Sequence, residues 1–354
     1  MRVLVTGATG FVGEAVARRL LAEGHEVCAL VRDRERARPL EERGVQLCEG
    51  ELGDPASIAR AAAGCEVAVH AAGESSHRAS PRALGWINVA GTENVVRGAR
   101  HGGVRRLVHV SCVDATITPG PRVGWDEDRL PVQGPFTAFG RSKLQAEELV
   151  VGAGGRGSAT PFETLVLRAG QVWGPGDLSS LPVLAREALE GGLALCGRGD
   201  NLVATTYVGN LVAAILRALD APDAAGAVIH VTDAEMTLAR EFYGELCAAL
   251  GAPPPRRSVL GFRAELARAR LRRRLGRPGP WPTDAVRRGQ SSAFDQSRAR
   301  ALLGFEPPVS QREGFAALRA WVVERGGARA IAAAAREPAT DASVAAQIRL
   351  AEEG

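Results

Sequence analysis

Residues Thr6 to Gly13 read TGATGFVG, and this stretch lies between an apolar strand pattern and an amphipathic helical pattern. In that context Gly7 is expected to permit a tight turn, Gly10 to let the backbone approach a pyrophosphate, and Gly13 to let helix and strand pack closely. The free N–H groups and the dipole of the helix N-terminus then favour a bound anion. The alternative is a glycine turn without a ligand. The strand–helix alternation that follows favours a dinucleotide-binding βαβ unit instead.

That alternation continues beyond the glycine loop, where short β-branched runs and longer helical patterns follow each other as in units of a parallel sheet. The predicted strands are Arg2–Thr6, Glu26–Val31, Val45–Glu49, Val67–Ala71, Arg106–Ser111, Thr164–Leu167 and Val228–Val231. The predicted helices are Val12–Glu23, Pro55–Ala62, Ile87–His101, Arg141–Val150, Leu181–Glu190, Gly209–Leu219 and Leu238–Leu250. We therefore expect an α/β fold of the Rossmann type, a doubly wound parallel sheet with a small C-terminal substrate lobe.

The end of the second predicted strand bears on which dinucleotide binds. An acidic residue there usually holds the ribose 2′-OH of NAD, whereas a nearby arginine accommodates the 2′-phosphate of NADP. Val31 stands where the acid is usual and Arg32 follows it, although a small shift of the turn could present Asp33 instead. The sequence therefore favours NADP(H) over NAD(H) as the cofactor.

Composition divides the chain into three parts and excludes several functional classes. We expect an NADP-binding Rossmann core over residues 1–170, a substrate-binding lobe interleaved with the last core elements over 171–325, and a tail over 326–354 that is helical or disordered. No apolar run reaches the roughly 18 residues of a membrane span, so a cytoplasmic protein is expected. The six cysteines form no CxxC pair, so no metal site is expected. A net charge of +4 gives no reason to expect nucleic-acid binding.

The basic residues are distributed in two informative ways. Of the 44 lysines and arginines only Lys143 is a lysine, which indicates a position where a compact, titratable ammonium is needed. Arginines also crowd the segment Arg263–Arg277, which suggests either a surface for a phosphate-bearing substrate or an acidic carrier, or a solvated helix face.

Further segments, in order along the chain, resemble the extended short-chain dehydrogenase/reductase family, also called the NAD-dependent epimerase/dehydratase family. After TGATGFVG they are GELGD (50–54), VHAAG (69–73), NVAGTENVV (88–96), FGRSK (139–143), LRAGQVWGPGD (167–177), TTYVGNLVAAI (205–215) and FDQSRARALLGFEP (294–307). The likeness covers about residues 1–325 and is nearest to the 3β-hydroxysteroid-dehydrogenase-like branch. It implies cofactor contacts from Gly7, Thr9, Gly10, Phe11, Val12, Gly13, Arg32, Glu51, Leu52, Ala71, Ala72, Gly73, Ser111, Lys143, Gly170 and Val172.

The resemblance also implies a catalytic arrangement, and here the chain departs from the family. In such enzymes a tyrosinate acts as acid and base on the substrate oxygen, a lysine four residues later lowers its pKa, a serine polarises the carbonyl and an asparagine supports a water chain. Asn88 and Lys143 match the asparagine and the lysine. Phe139 occupies the tyrosine position and Cys112 the serine position, with Ser111 before it. Because a phenylalanine has no proton to give and a thiol is a weak donor, the usual mechanism lacks its proton donor.

Four interpretations remain open. Redox chemistry persists with a substitute donor such as Tyr207, Thr137, a water or the substrate itself. Alternatively the enzyme is a non-redox lyase, dehydratase or isomerase whose base is Asp114, unless that side chain caps the next turn. The protein could also be a catalytically silent NADP(H)-binding sensor or scaffold, or Phe139 could be an engineered replacement. Because the asparagine and the lysine are kept, we favour a biosynthetic NADP(H)-dependent oxidoreductase that acts on a small, hydrophobic ketone or alcohol.

The family resemblance also bears on assembly. Its members often dimerise through two helices that form a four-helix bundle, which here would be Ile87–His101 and Arg141–Val150. The apolar spacing of these helices permits such a homodimer.

Overall fold

The computed structural model describes residues 1–154, 162–191, 193–257, 260–275, 281–335 and 338–345. The strands are β1 Arg2–Thr6, β2 Glu26–Val31, β3 Gln46–Glu49, β4 Val67–His70, β5 Arg106–Cys112, β6 Arg122–Trp125, β7 Glu163–Ala169, β8 Gln171–Trp173, β9 Ala194–Leu195, β10 Leu202–Val203, β11 Thr205–Tyr207, β12 Val228–Val231, β13 Thr237–Leu238, β14 Arg256–Arg257 and β15 Ser292–Phe294. The helices are α1 Phe11–Ala22, α2 Arg34–Glu41, α3 Pro55–Ala62, α4 Pro81–Leu84, α5 Gly91–His101, α6 Ala138–Ala153, α7 Leu181–Leu189, α8 Val208–Asp220, α9 Ala239–Leu250, α10 Phe262–Arg274, α11 Pro282–Gly289, α12 Ser297–Leu303, α13 Gln311–Glu324 and α14 Ala328–Ala333.

A seven-stranded parallel sheet in the order β3-β2-β1-β4-β5-β7-β12 forms the centre of the fold. Its strands are apolar without alternation because helices cover both faces, and Val3, Leu4 and Val5 are fully buried. The chain order reverses between β1 and β4, so a crevice for a ligand opens there at the carboxyl ends of the strands. The expected doubly wound Rossmann sheet is confirmed, and β1, β2 and β12 have the predicted bounds.

Two hydrophobic layers hold the helices to this sheet. On one face α1 and α8 pack side chains such as Val16, Leu20 and Ile215 against the strands. On the other face α3 and α5 contribute Ile58 and Val95. Both α8 and β12 follow residue 170, so elements from the later part of the chain complete the central sheet and its helical layer.

A separate cluster forms the C-terminal lobe. It joins α7, α9, α13 and α14 around Trp173, Phe242 and Phe315. The helix α14 and a helical turn at 341–345 belong to the segment that was predicted as helical or disordered. No helix in the described part of the chain has the length and apolarity needed to cross a bilayer.

The structure differs from the predicted elements in a few places. The helix predicted over Ile87–His101 begins with a π-helical segment, Gly85–Ala90, before α5. The helix α2 was not predicted, because it is mostly charged and buries only Ala37 and Leu40. Most of the additional strands span two to four residues, which is too short for a periodic pattern to show.

Candidate active site

The glycine loop between β1 and α1 has the shape that a pyrophosphate requires. Gly7 has a φ of +75°, and a Cβ there would lie 2.6 Å from the Ala72 nitrogen. A Cβ on Gly13 would lie 2.2 Å from the Gly7 oxygen, so the start of the helix packs tightly on the glycine loop. Gly10 is the N-cap of α1, and because glycine has no side chain that could cap the helix, the first N–H groups remain for an anion. The loop therefore fits a dinucleotide phosphate.

The other predicted cofactor residues lie at the same carboxyl edge of the sheet. Thr9 lies in the glycine loop, Phe11 and Val12 open α1, Arg32 follows β2, Glu51 and Leu52 follow β3, Ala71, Ala72 and Gly73 follow β4, Gly170 follows β7, and Val172 lies in β8. The fold thus brings together, along one edge, residues that are far apart in the sequence.

The turn after β2 presents Arg32 rather than Asp33. The Asp33 carboxylate caps α2 by accepting a hydrogen bond from the Arg36 nitrogen at 3.0 Å. Arg32 is exposed and makes no hydrogen bond or ion pair with any other residue that the structure describes. The guanidinium is therefore available to a ligand.

The lone lysine lies beside the end of β5, in the first turns of α6. Lys143 is 9% exposed, and its Nζ donates a hydrogen bond to the Val110 oxygen at 3.0 Å. Burial lowers the pKa of Lys143, while the nearby Cys112 and Glu147 oppose this shift. Phe139 lies one helical turn earlier in α6, so the positions of the family's tyrosine and lysine are neighbours on the helix.

The hydroxyl of Ser111 is engaged away from the site. It donates to the carboxylate of Glu147, which also accepts two hydrogen bonds from the Arg168 guanidinium at 2.9 and 2.7 Å. All three residues are buried. Ser111 therefore belongs to a network that joins β5, α6 and β7.

Asn88 holds the loop that follows β4. Its Nδ2 donates to the Glu74 oxygen at 3.1 Å and to the Ser142 hydroxyl at 3.1 Å, and its Oδ1 accepts from the Glu74 nitrogen at 2.8 Å. The residue is 3% exposed. Its amide therefore positions the loop, so that any catalytic role passes through its neighbours.

The side chain of Cys112 packs with Phe139, Ala79 and Leu84 in a small apolar cluster at the end of β5. Burial raises the pKa of the Cys112 thiol to about 12, and the adjacent Asp114 adds to this shift. At neutral pH this position therefore holds a neutral thiol, a weak donor where the family has a serine hydroxyl.

His77 completes the site, although no sequence pattern singled it out. Its ring centroid lies 4.3 Å from that of Phe139, and its Nε2 lies 3.3 Å from Asp114 Oδ2. The Nδ1 atom is buried and has no hydrogen-bond partner in the described part of the chain. Burial lowers the pKa of His77 to about 4, with Arg287 adding to the shift and Asp114 opposing it.

Asp114 is a buried, ion-paired carboxylate. Its Oδ2 also lies 3.3 Å from the Arg287 Nε atom. Burial alone would raise the pKa of Asp114, but Arg287, His77 and Arg122 outweigh burial and lower it. The side chain does not cap the 3-10 turn Val113–Thr116, whose N-cap is Cys112.

The two predicted substitute donors have other contacts, but neither hydroxyl donates a hydrogen bond to a residue that the structure describes. Tyr207 packs edge-on to Trp173 with the ring centroids 5.2 Å apart, and no ring contact or hydrogen bond in the described structure joins it to Phe139. Burial also raises the pKa of Tyr207. The Thr137 hydroxyl accepts a hydrogen bond from the Gly140 nitrogen at 2.9 Å and thereby caps α6.

The arginine-rich segment forms α10, apart from Arg277, which lies outside the described residues. Arg270 stacks on Phe136 and Arg273 on Trp281, with the guanidinium carbon 5.4 and 3.8 Å from the ring centroid. The outer face of α10 is exposed. No group of three or more metal-ligating side chains occurs among the described residues.

Comparisons with known proteins agree with this geometry. The sequence model of the NAD dependent epimerase/dehydratase family matches residues 3–231. A 2-alkyl-3-oxoalkanoate reductase from Stenotrophomonas maltophilia (strain K279a) is 33% identical over 332 residues, which cover 90% of this chain and 99% of that protein. A 3-diazoavenalumate denitrifying reductase from Streptomyces sp is 34% identical over 325 residues, covering 89% and 99% respectively. A 3 beta-hydroxysteroid dehydrogenase/Δ5→4-isomerase from Mycobacterium tuberculosis (strain ATCC 25618 / H37Rv) is 29% identical over 334 residues, covering 89% and 88%.

A solved structure shares the fold as well. MoeE5 in complex with UDP-glucose and NAD superposes with a TM-score of 0.72 at 24% identity, over 92% of this chain and 99% of that one. The expected family resemblance is thus confirmed, and a 3β-hydroxysteroid dehydrogenase is among the relatives, as expected. The chain therefore belongs to the NAD dependent epimerase/dehydratase family and is an NAD(P)-dependent oxidoreductase of the extended short-chain dehydrogenase/reductase type.

Proposed function

We propose that this enzyme is an NADP(H)-dependent reductase that interconverts a small hydrophobic ketone and its alcohol, with a proton donor other than the family's tyrosine. The observation that carries the proposal is the position of Lys143, the sole lysine, at the end of β5 beside Phe139 and Cys112. In this proposal residues 1–170 bind the cofactor, residues 171–325 cover the substrate and residues 326–354 form the tail. The nicotinamide cofactor, when bound, supplies or accepts the hydride.

The free guanidinium after β2 supports NADP(H) as the cofactor. Arg32 is exposed without a partner in the described chain, whereas Asp33 is occupied as the cap of α2. An arginine at this place can pair with a 2′-phosphate, and an aspartate there would repel it.

An apolar cluster beside the charged part of the site supports a hydrophobic substrate. Ile117 follows the turn that carries Asp114, and Val286 precedes Arg287 in α11; both pack with Phe136. Ile117 and Val286 are buried, so the charged groups have apolar surroundings, which would suit the alkyl chains of the ketone in the name of the 2-alkyl-3-oxoalkanoate reductase.

Reductive denitrification is a second candidate, and Phe139 is the observation that favours it. A relative 34% identical to this chain is named as a denitrifying reductase of a diazo compound. When hydride replaces a diazonium group, a C–H bond forms and dinitrogen leaves with the electrons of the broken C–N bond. No alkoxide that needs a proton arises, so a site without the tyrosine hydroxyl could perform the reaction. A non-redox reaction with Asp114 as base is less favoured, because the ion pair with Arg287 lowers the pKa of that carboxyl and weakens it as a base.

Calorimetric titration with NADPH and NADH, followed by a turnover assay, tests the proposed function. We expect NADPH to bind more tightly, and Arg32→Ala to weaken NADPH binding by about tenfold to a hundredfold, the value of a charge-assisted hydrogen bond. The binding of NADH should stay unchanged. Arg38→Ala, in the last turn of α2, is the matched control and should alter neither constant.

The turnover assay should use a 2-alkyl-3-oxoacid, its CoA thioester and an aryl diazo compound. Oxidation of NADPH by the ketones supports the first proposal, and oxidation by the diazo compound alone supports the second. A clear preference for the thioester, lost in Arg272→Ala, would assign α10 to a carrier or phosphate group. Tight NADPH binding without turnover of any of them would indicate a silent NADP(H)-binding protein and contradict both enzymatic proposals.

The groove between α5 and α6 supports a homodimer. It is an open depression of about 800 Å³ lined mostly by small or apolar residues, among them Val89, Ala90 and Ala153, together with two glutamates and a glutamine. Helices with such faces pack as four-helix bundles. We expect sedimentation velocity at micromolar concentration to show a dimer, and Val89→Glu to give a monomer with an unchanged CD spectrum. A monomeric parent protein would contradict this proposal.

A further inference from the structure

The loop after β4 brings an imidazole to the place where the family's phenol is missing. His77 and Phe139 are in ring contact, with their centroids 4.3 Å apart. Phe139 also packs with Cys112, which stands where the family has its serine. His77 thus contacts the ring at the tyrosine position, and that ring in turn packs with the residue at the serine position.

The charges around His77 determine which ring nitrogen carries the proton. Asp114 lies 3.3 Å from Nε2 and is kept ionised by Arg287, so a proton is favoured on Nε2. The Nδ1 atom then has a free lone pair. This atom is buried and unpartnered in the described chain, whereas buried polar atoms are normally hydrogen-bonded. The ring that contacts Phe139 therefore holds an unused hydrogen-bond acceptor.

The loop that carries His77 is held from two sides. On one side, the Asn88 amide hydrogen-bonds the backbone nitrogen and the backbone oxygen of Glu74. From the tail, the Ala339 oxygen accepts from the Ser80 nitrogen at 3.2 Å, and the Ala339 nitrogen donates to the Glu74 carboxylate at 3.2 Å. Because a catalytic group must be fixed relative to its substrate, this double anchoring suits an imidazole that takes part in the reaction.

We propose that His77 exchanges a proton with the substrate oxygen in place of the tyrosine hydroxyl, with Asp114 and Arg287 as its positioning residues; this inference rests on the proposed ketone–alcohol chemistry. When the alcohol is oxidised, its carbon gives a hydride to the nicotinamide cofactor and its O–H bond breaks. The proton passes to His77 Nδ1, and the O–H electron pair becomes the second bond of the carbonyl. In reduction the neutral ring first takes a proton from water at Nδ1, and this proton moves to the oxygen as the hydride reaches the carbonyl carbon.

Burial is the largest influence on the ring and keeps His77 neutral, so Nδ1 is ready to accept a proton when an alcohol is oxidised. Asp114 and Asp284 stabilise a proton arriving at Nδ1, whereas Arg287 and Arg78 oppose it. These four groups are the charges that face the ring from the turn after β5, from α11 and from its own loop. The Asp114–His77 pair resembles the Asp–His pair of a Ser-His-Asp triad. There, an ionised carboxylate fixes the tautomer of the histidine and stabilises the imidazolium that forms.

Kinetics of His77→Ala test the inference in the full-length enzyme. We expect kcat for ketone reduction to fall by about 10²–10⁴-fold, the usual share of general acid–base catalysis, with an NADPH dissociation constant that changes little. Imidazole added to the solution should restore part of the rate, which a purely structural role would not allow. His101→Ala, at the exposed end of α5, is the matched control and should keep the parent rate. A comparable Tm for both variants would show that the fold is kept.

A second readout needs neither cofactor nor turnover. In ¹⁵N-histidine NMR spectra of the free protein, the signal that disappears in His77→Ala should be that of a neutral ring protonated at Nε2. A proton on Nδ1 would overturn the inference. So would a His77→Ala enzyme as active as its parent, and that result would leave the proposed function standing. A parent enzyme that turns over no ketone or alcohol would refute the proposed function and the inference with it.

Discussion

Replacing Glu147 with alanine is expected to lower the free energy of unfolding by about 3–5 kcal/mol, the range found when one partner of a buried ion pair is removed. Glu147 is 2% exposed and accepts two hydrogen bonds from Arg168, which is itself 3% exposed. Without the carboxylate, the guanidinium would remain buried without its counter-charge, and Ser111 would lose its acceptor. Urea denaturation followed by CD would measure the change.

A matched control separates this effect from the loss of any glutamate in a helix. Glu324→Ala removes an exposed carboxylate in the last turn of α13 and should change stability by less than about 0.5 kcal/mol. A loss below about 1 kcal/mol for Glu147→Ala would contradict the structural role of the network, since that is the value of one ordinary hydrogen bond. If Glu147→Ala instead lowered the activity without lowering the stability, Ser111 would have a catalytic role.

The fold was predictable because its signals are local. β1 and β2 are uninterrupted apolar runs, and the glycines at 7, 10 and 13 follow the first of them directly. Each of these patterns lies within about ten neighbouring residues, and burial on both faces removes the alternation that would make a half-exposed strand ambiguous. The helix α2 gave no such signal because only Ala37 and Leu40 face the core.

The candidate site was predictable only where a residue type is itself unusual. Lys143 could be found because it is the sole lysine of the chain. The engagement of Ser111 was not visible, because Glu147 lies 36 residues further along the chain and Arg168 a further 21. His77 was missed for a similar reason: it lies in a loop without periodicity, and its partners Asp114 and Arg287 reach it only through the tertiary fold.

The tail illustrates the same limit. Its composition of alanine and charge predicted a helix or disorder, and nothing in it indicates a partner. In the structure the backbone of Ala339 forms hydrogen bonds with the loop at Glu74 and Ser80, and Glu74 lies 265 positions earlier in the chain. Ala339 also packs against the apolar cluster that contains Phe139. Such backbone pairing depends on proximity rather than on side-chain type, so no motif records it.

Introducing a tyrosine at the family's position is expected to restore catalysis to an enzyme that lacks His77. In the His77→Ala background, Phe139→Tyr should raise kcat for ketone reduction by about 100-fold or more, the lower end of general acid–base catalysis. The reason is geometric: the ring at 139 lies one helical turn before the buried ammonium of Lys143 and against Cys112. Removing His77 also makes room beside that ring, which it contacts in the parent protein.

The new phenol can be observed directly as well as through the rate. The parent chain contains only two tyrosines, and burial raises the pKa of Tyr207, so an additional tyrosinate that forms at lower pH would stand out in an ultraviolet titration. A nearby ammonium favours the ionised phenol and lowers its pKa. Adding Lys143→Met should therefore raise that pKa and abolish the rescue. NADPH binding measured in the same variants separates a lost rescue from a lost cofactor.

The result would also discriminate between the two proposed reactions. Ketone reduction needs a proton at the oxygen, so its rate in the His77→Ala enzyme depends on whether position 139 carries a hydroxyl. Reductive denitrification needs no such proton, and Phe139→Tyr should leave its rate unchanged or lower it by crowding the space beside Cys112. A phenol that ionises below the usual pKa but restores no ketone reduction would mean that the substrate oxygen lies away from position 139, and that this enzyme uses its hydride on a group other than a carbonyl.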